Sequence, residues 1–317
     1  MDVARQAEML ANRVRKTFRR LGPRFERRRI GAFRLFDRDI PEIRAVVDWY
    51  EGHLVIAEYV RRQTDELPGW LPTMARAAAA ALDVPPERVH LRRRRTRPAS
   101  GPRYERLGAR GRRLEVREGD LRFVIDLDAH LDTGLFADHR ETRARLRAES
   151  RERRFLNLFG YTGTFTCAAA AGGAAATTTV DRSATYLRRA RENLERNRLW
   201  SPRHELVRAD VEPFLERARR AGRTWDLCLL DPPSFSTGRG APPFDALRDH
   251  RALIERTLAV LAPSGVLYFS TNHQRFVPRL AGLPAEVLEI TDETIPEDYR
   301  NRTVHRCWRL VSVPSRR

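Results

Sequence analysis

Two glycines and an acid, spaced as in nucleotide-binding proteins, are the residues of this sequence best suited to hold a ligand. Gly160 ends the apolar run 155–159, and Gly163 opens a stretch of small residues that begins as a helix. In a strand–turn–helix unit, backbone N–H groups at the helix start face a bound ligand. Asp181 ends the next apolar run, roughly 20 residues after Gly160, where such folds hold ribose hydroxyls. An ordinary tight turn with a capping aspartate would show the same pattern.

The spacing of these residues indicates which nucleotide they would bind. The glycines follow a G-x-x-G pattern rather than G-x-G-x-x-G, which disfavours a nicotinamide or flavin cofactor. Asp210 ends another short strand beside Val211, where it can accept from an adenine amino group. The glycine turn leaves room for a tail that carries a carboxylate. Since an adenosine with an amino-acid tail is S-adenosylmethionine, we expect that cofactor.

The run Asp231–Phe235, which reads Asp-Pro-Pro-Ser-Phe, is the most specific element of the chain. Pro232 and Pro233 fix the backbone and remove two N–H donors, so a carbonyl can point at a substrate amine. Phe235 is then placed to stack a planar base, as proteins commonly do with unpaired nucleotides. Such a run can also be a simple strand-ending turn. We predict that Asp231, Pro232, Pro233 and Phe235 form the catalytic group.

The elements that position these residues alternate between strands and helices. This alternation predicts an α/β fold with an open, doubly wound, Rossmann-like sheet. Its functional groups should lie at the carboxyl ends of the strands, because parallel strands end at one edge. The sheet should contain the strands Phe155–Phe159, Thr177–Val180, Trp225–Leu230 and Gly265–Ser270, with the helix Ala184–Asn197 after the second of them. A long loop is predicted to follow the Asp-Pro-Pro run and to extend through His250.

A smaller α+β unit precedes this sheet. The amphipathic segment Asp2–Leu21 predicts a basic helix that Gly22 and Pro23 end. A strand pair, an alanine-rich helix over 71–82 and further strands follow. We therefore predict three parts: a basic N-terminal helix and linker (1–35), a small α+β domain that binds RNA (36–130) and a Rossmann-like domain (131–317).

The charge of the chain indicates a polyanionic partner. Its 60 lysines and arginines outnumber its 42 aspartates and glutamates, for a net charge of +18. RNA or DNA is the simplest partner for such an excess. The densest basic run, which could neutralise several phosphates or simply be solvated, contains Arg92, Arg93, Arg94, Arg95 and Arg97.

Several functional classes are disfavoured by composition. No apolar run approaches the length of a membrane span, and the first 20 residues lack the apolar core of a signal peptide. The three cysteines have neither metal-ligand nor redox spacing, so we expect no metal site. These features together predict a cytoplasmic protein without a membrane partner.

The sequence resembles the class I S-adenosylmethionine-dependent RNA methyltransferases. Within them it is most similar to the part of a bifunctional bacterial enzyme that methylates nitrogen-7 of a guanine in 23S rRNA. The residues that carry the resemblance are Ala11–Arg13, Tyr104–Leu107, Leu131–Arg140, Asn157–Thr166, Asp231–Ser236, Phe244–Asp245, Arg248–His250, Thr294–Pro296 and His305–Trp308. By that resemblance, the residues expected to border the cofactor include Phe136, His139, Arg140, Asn157, Tyr161 and Thr162.

The resemblance implies methyl transfer to large-subunit rRNA or its precursor. Nitrogen-7 of neutral guanine has a free lone pair, so its methylation needs no strong base or covalent nucleophile, and orientation is the main task. Related carbon-5 cytosine methyltransferases place a cysteine where this chain has Ser270-Thr271-Asn272, which disfavours that reaction. Methylation of an exocyclic base amine and a non-catalytic role in ribosome assembly remain open. The bifunctional enzyme's other half is absent, so a separate partner could supply it.

Overall fold

The computed structural model describes residues 2–60, 67, 69–95, 113–128, 132–236 and 244–313. Within these ranges the side chains of residues 60, 94, 95 and 236 are not described, and Arg97 lies outside them. The chain forms two compact units, one of residues 1–137 with Glu297–Asn301 and one of residues 138–296 with 302–317. The boundary lies at Ala137 rather than near residue 130, and the N-terminal helix is part of the first unit.

A four-stranded sheet organises the first unit. Its strands are β1 (Ala32–Asp37), β2 (Ala45–Tyr50), β3 (His53–Val60) and β4 (Val89–Arg95), in that spatial order. The first three strands are antiparallel, whereas β4 runs parallel to β3. A separate antiparallel hairpin joins β5 (Arg113–Glu118) to β6 (Leu121–Asp126). The strand pair predicted before the alanine-rich helix is present as β2 and β3.

Two helices, α1 (Val3–Arg27) and α2 (Trp70–Ala80), contribute buried side chains to the hydrophobic core of this unit. Asp2 caps α1 by accepting from the backbone N–H of Arg5. The prediction that the helix ends at Gly22 and Pro23 is wrong. Leu21 and Phe25 are both buried in the core, so the apolar stripe continues through the proline and holds the last turn.

The second unit contains a seven-stranded sheet. Its strands in chain order are β7 (Arg154–Leu158), β8 (Ala176–Asp181), β9 (His204–Arg208), β10 (Trp225–Leu230), β13 (Leu261–Thr271), β14 (Ala285–Glu289) and β15 (Arg306–Ser312). Their spatial order is β14-β15-β13-β10-β7-β8-β9. The run from β13 to β9 is parallel, and β15 is antiparallel to both of its neighbours.

Helices cover both faces of this sheet. They are α3 (Arg140–Glu149), α4 (Thr164–Ala171), α5 (Ala184–Arg196), α6 (Val211–Arg220), α7 (Ala246–Leu258) and α8 (Thr291–Thr294). Leu156 packs in one core with α6 and α7, whereas its neighbour Phe155 packs in a second core with α3 and α4. This alternation confirms the predicted doubly wound α/β sheet.

The predicted loop through His250 is wrong, because α7 begins at Ala246. Asp245 caps this helix through the backbone N–H of Leu247, 2.8 Å away. His250 is fully buried and faces the Ala246 carbonyl through Nδ1. The helical spacing of apolar residues was hidden by the charged residues between them. Among the described residues, no helix is long and apolar enough to cross a membrane.

Candidate active site

In the turn after β7, every second residue has a left-handed backbone conformation. Phe159, Tyr161 and Gly163 have φ angles of 57°, 48° and 71°. Left-handed conformations in bulky residues cost free energy and accumulate at functional sites. Gly163 immediately precedes α4, so the turn leads directly into a helix N-terminus. The backbone is therefore shaped as a ligand-binding βα turn requires.

Both glycines of the turn are also required by packing. A Cβ atom on Gly163 would lie 2.6 Å from Cβ of Ala190 in α5. A Cβ atom on Gly160 would lie 2.3 Å from Cγ2 of Thr179 in β8. These distances are far below van der Waals contact, so the neighbouring elements press directly against the turn.

Asp181 holds the glycine turn as well as facing its predicted ligand site. Its Oδ2 accepts from the backbone N–H of Tyr161 at 3.0 Å, and its Oδ1 accepts from that of Ser183 at 2.8 Å. Burial raises the pKa of Asp181, and these two hydrogen bonds oppose the shift. Each carboxylate oxygen has a further lone pair, so the half-buried group retains capacity for ribose hydroxyls.

Asn157 and Thr162 are buried beneath the chain surface, which the resemblance did not anticipate. The Asn157 amide donates to Oγ1 of Thr166 at 2.9 Å, and only 1% of Asn157 is exposed. Thr162 is fully buried, and its carbonyl accepts from the Asn193 side chain at 2.9 Å. The side chain of Asn157 and the backbone of Thr162 therefore support the turn from within. The expectation that they border a cofactor is not supported by this burial.

Asp210 and Val211 lie where β9 leads into α6. Asp210 is exposed, and its carboxylate makes no cap hydrogen bond to the helix that follows. Val211 is buried in the core with α7, so only its backbone can face a ligand. The contact between the Asp210 carboxylate and an adenine amino group stays a prediction.

The Asp-Pro-Pro-Ser run is tied to the carboxyl end of β13. Ser270 donates its hydroxyl hydrogen to Oδ1 of Asp231 at 2.6 Å. The Ser234 hydroxyl donates to Oδ1 of Asn272 at 2.7 Å. Pro232 is buried, so the run is anchored at three points. Ser270 was missed as a site residue, because a serine inside an apolar strand gives no local signal.

Asp231 is one quarter exposed in this arrangement. Burial raises its pKa to about 6, although the hydrogen bond from Ser270 lowers it. Phe235 begins the short strand β11 (Phe235–Ser236), which pairs with β12 (Phe244–Asp245). The ring of Phe235 is half-buried. A partly accessible carboxylate and an aromatic ring thus flank one rigid turn.

His305 has a polar partner at each of its ring nitrogens. Its Nε2 lies 3.1 Å from the hydroxyl of Thr294, which donates to the Thr291 carbonyl at 2.9 Å. Its Nδ1 lies 3.1 Å from Oδ2 of Asp138. These contacts hold the buried His305 ring in a fixed orientation.

His139 lies flat against the ring of His305. The two imidazole rings stack with centroids 4.1 Å apart and planes 13° apart. Burial, aided by the nearby His305 charge, lowers the pKa of His139 to about 3, so this ring is neutral. Its Nε2 lies 3.8 Å from Oδ2 of Asp231. His139 thus lies beside the Asp231 turn, and its burial leaves little of it for a cofactor.

Arg140 and Phe136, the other residues that the resemblance predicts beside the cofactor, have different surroundings. Arg140 is buried at the start of α3, with Nε 3.6 Å from Oε1 of Glu141. Phe136 belongs to the first unit, where its ring is exposed. An exposed ring can meet a ligand, whereas burial argues against direct contact by Arg140.

Asp138, His139 and His305 place three potential metal ligands within 4.8 Å of one another. The nearly parallel histidine rings direct their nitrogens along parallel planes rather than toward one point. Nδ1 of His305 is also engaged by Asp138. This set is therefore not arranged to hold a metal, and the absence of a metal site stays a prediction.

Two arginines of the predicted basic run on β4 are engaged within the first unit. Arg92 is buried, with 4% exposure, and donates to the Leu127 carbonyl at 2.9 Å. Arg93 is exposed, but its Nε pairs with Glu58 at 3.0 Å. The expectation that Arg92 faces RNA is wrong, because alternate residues of a strand point to opposite faces. The side chains of Arg94, Arg95 and Arg97 lie outside the described part.

The doubly wound sheet, its strained glycine turn and the acids at its strand ends define a Rossmann-like S-adenosylmethionine-dependent methyltransferase. A family model described as S-adenosylmethionine-dependent methyltransferase matches residues 31–293. The chain belongs to this family.

Comparison with curated proteins shows close relatives among rRNA methyltransferases. The chain is 41% identical to ribosomal RNA large subunit methyltransferase K of Neisseria meningitidis, over 95% of this chain and 86% of that protein. It is 42% identical to ribosomal RNA large subunit methyltransferase K/L of Pseudomonas putida, over 96% of this chain and 42% of that protein. The chain thus spans less than half of the K/L relative. The chain itself is an S-adenosylmethionine-dependent methyltransferase.

Solved structures support the same fold. A putative methyltransferase from Streptococcus mutans superposes with a TM-score of 0.77 at 20% identity, over 96% of this chain and 81% of that one. A putative methyltransferase solved with SAH gives a TM-score of 0.72 at 22% identity, over 95% of this chain and 81% of that one.

Proposed function

We propose that this chain transfers the methyl group of S-adenosylmethionine to nitrogen-7 of a guanine in 23S rRNA. The observation that carries the proposal is the rigid Asp231 turn, which presents a carboxylate and an aromatic ring but no cysteine. The relatives named above support large-subunit rRNA as the substrate. An rRNA substrate in turn favours a cytoplasmic location.

The residues present fit the cofactor. The backbone of Gly160–Gly163 would receive the amino-acid end, and Asp181 would accept from the ribose hydroxyls with its remaining lone pairs. The exposed Asp210 carboxylate would accept from the adenine amino group. When bound, S-adenosylmethionine supplies an electrophilic methyl group on a sulfonium.

The remaining task of the chain is to orient the base. Phe235 would stack on the guanine, while Asp231, held by Ser270, fixes one edge of the pocket. Since nitrogen-7 already has a free lone pair, no residue has to remove a proton before transfer. The three cysteines are buried, and burial raises the pKa of Cys228 and Cys307. A thiolate nucleophile for carbon-5 of cytosine is therefore disfavoured.

Methylation of an exocyclic base amine is the second candidate. One observation favours it: the raised pKa of Asp231, about 6, makes its carboxylate a better proton acceptor than an ordinary aspartate. An amine loses a proton when it is methylated, whereas nitrogen-7 of guanine does not. The identity of the methylated nucleoside therefore separates the two candidates.

The proposal is tested by incubating the purified chain with S-adenosylmethionine and unmodified large-subunit rRNA, then analysing nucleosides by mass spectrometry. We expect 7-methylguanosine. Phe235→Ala should lose a stacking contribution of about 1–3 kcal/mol and slow transfer, with unchanged cofactor affinity. An amino-methylated nucleoside would support the second candidate instead. If transfer needs another protein, adding as a separate chain the part of the K/L relative that this chain does not match should restore it.

A further inference from the structure

Helix α1 has two opposite faces of different chemistry. Leu10, Val14, Leu21 and Phe25 are buried in the core of the first unit. The opposite face carries five exposed cations, which we call the basic ridge: Arg5, Lys16, Arg19, Arg20 and Arg27. At about 100° per residue, these five side chains fall within roughly 100° of one another around the helix axis.

The charges of the basic ridge are not neutralised by the protein. Within the part of the chain that the structure describes, no acidic side chain forms an ion pair with any of the five. By contrast, Arg13 and Arg24, at the border of the ridge, pair with Asp39 and Glu297, each at 2.9 Å. Internal ion pairs therefore lie beside the ridge rather than on it.

The acids of α1 lie along one border of the ridge. These are Glu8 and Glu26, and Glu26 is engaged by Arg117 through a salt bridge of 3.1 Å.

From Arg5 to Arg27 the ridge is about 33 Å long at 1.5 Å per residue. A surface of this length can contact several consecutive phosphates of a nucleic-acid strand. A single small anion would not need a surface of this extent.

A cavity near the end of α1 is lined by Arg29, Arg117 and Arg122, with Gly119 and Asp120. Its charge is largely neutralised within the first unit, because Arg117 pairs with Glu26 and Glu51, and Arg122 pairs with Glu115. Arg29 is exposed and follows Arg27 by two residues, so it continues the basic surface beyond α1.

We propose that the basic ridge is the surface on which the phosphate backbone of the RNA substrate docks. This inference rests on the proposed function, which makes RNA the substrate. The ridge lacks the exposed apolar residues that form the centre of most protein interfaces. A membrane surface is equally poorly matched, because the apolar face of α1 is buried in the core.

The test compares two variants that lose the same charge. Lys16→Gln/Arg20→Gln/Arg27→Gln removes three ridge cations. The control, Arg191→Gln/Arg219→Gln/Arg220→Gln, removes three exposed arginines that already pair with Glu195 or Glu216. Affinity for a large-subunit rRNA fragment is measured by fluorescence anisotropy at several salt concentrations, with circular dichroism to verify folding.

The ridge variant should flatten the plot of log affinity against log salt by about 0.7–0.9 per lost phosphate contact, so by about 2–3 in all. The control should change the slope by less than one such contact, and both should bind S-adenosylmethionine normally. Equal slopes for the two variants, or no salt-dependent RNA affinity in the unchanged protein, would overturn the proposal. A flattened slope with a product other than 7-methylguanosine would support the ridge and contradict the proposed function.

Discussion

Ser270 donates a hydrogen bond of 2.6 Å to Asp231, and this bond joins the carboxyl ends of β13 and β10. The two strands are parallel neighbours, so a single hydroxyl fixes the start of the Asp-Pro-Pro run from the adjacent strand. Ser234 and Asn272 repeat the connection at the other end of the run. The turn proposed to position the base is therefore rigid before substrate binds.

Ser270→Ala should shift the pH dependence of methyl transfer. The hydroxyl stabilises ionised Asp231, so its removal should raise the pKa of Asp231 above about 6. If transfer needs the carboxylate, the acid limb of the rate profile should move to higher pH, while the KM for S-adenosylmethionine stays the same. Asp231→Asn should abolish that limb. An unmoved acid limb in Ser270→Ala would show that the bond does not govern the site.

Asp231→Asn should stabilise the folded protein at neutral pH. The pKa of Asp231 is raised in the fold, so ionisation opposes folding once the pH exceeds the ordinary value near 3.8. The penalty grows up to about pH 6 and then stays constant. We expect a gain of about 1–3 kcal/mol at pH 7 that disappears below about pH 4. Urea unfolding at both pH values measures it, and a pH-independent difference would contradict the account.

Asp181→Ala and Asp210→Ala should separate folding from cofactor binding. Asp181 accepts two backbone hydrogen bonds, so its loss should reduce both stability and affinity for S-adenosylmethionine. Asp210 makes no cap hydrogen bond, so its loss should reduce affinity alone. Each charged hydrogen bond contributes about 1.5–3 kcal/mol, or roughly 10–150-fold in affinity. Calorimetry and thermal unfolding measure the two effects, and unchanged affinity in either variant would remove that residue from the site.

Gly163→Ala should destabilise the protein because its Cβ would lie 2.6 Å from Cβ of Ala190. The positive φ of 71° adds strain of about 1 kcal/mol for any L-residue with a side chain. Combining it with Ala190→Gly should recover the steric part of the loss and leave the strain. The measurement is the free energy of unfolding of both single variants and the double variant. Strict additivity would mean that the two positions do not clash.

Much of the second unit was predictable from sequence. Trp225–Leu230 is a strand as predicted, and the acids at positions 181, 210 and 231 all lie at or just after the ends of strands. These features are local, since apolar runs, glycines and prolines determine them over a few residues. The same reasoning predicted the hairpin in the first unit.

The sequence-based predictions failed at positions where tertiary packing determines the local structure. The end of α1 depends on Phe25 entering the core, which a glycine and a proline beforehand obscure. Arg92 reads as part of a surface run, yet its side chain points to the buried face of β4. Ser270 and Asp231 are 39 residues apart, so no local pattern connects them.

We propose that the chain methylates nitrogen-7 of guanine with the turn Asp231–Phe235 and without a cysteine nucleophile. The most direct test uses a variant with Cys167→Ser, Cys228→Ala and Cys307→Ala, incubated with S-adenosylmethionine and 23S rRNA. The product is treated with aniline after mild alkali, which cleaves RNA where guanine carries a methyl at nitrogen-7 and a positive ring. We predict scission at one guanine with both the folded variant and the unchanged protein. Methylated RNA that resists this treatment, or methylation that disappears with the cysteines while the fold persists, would contradict the account.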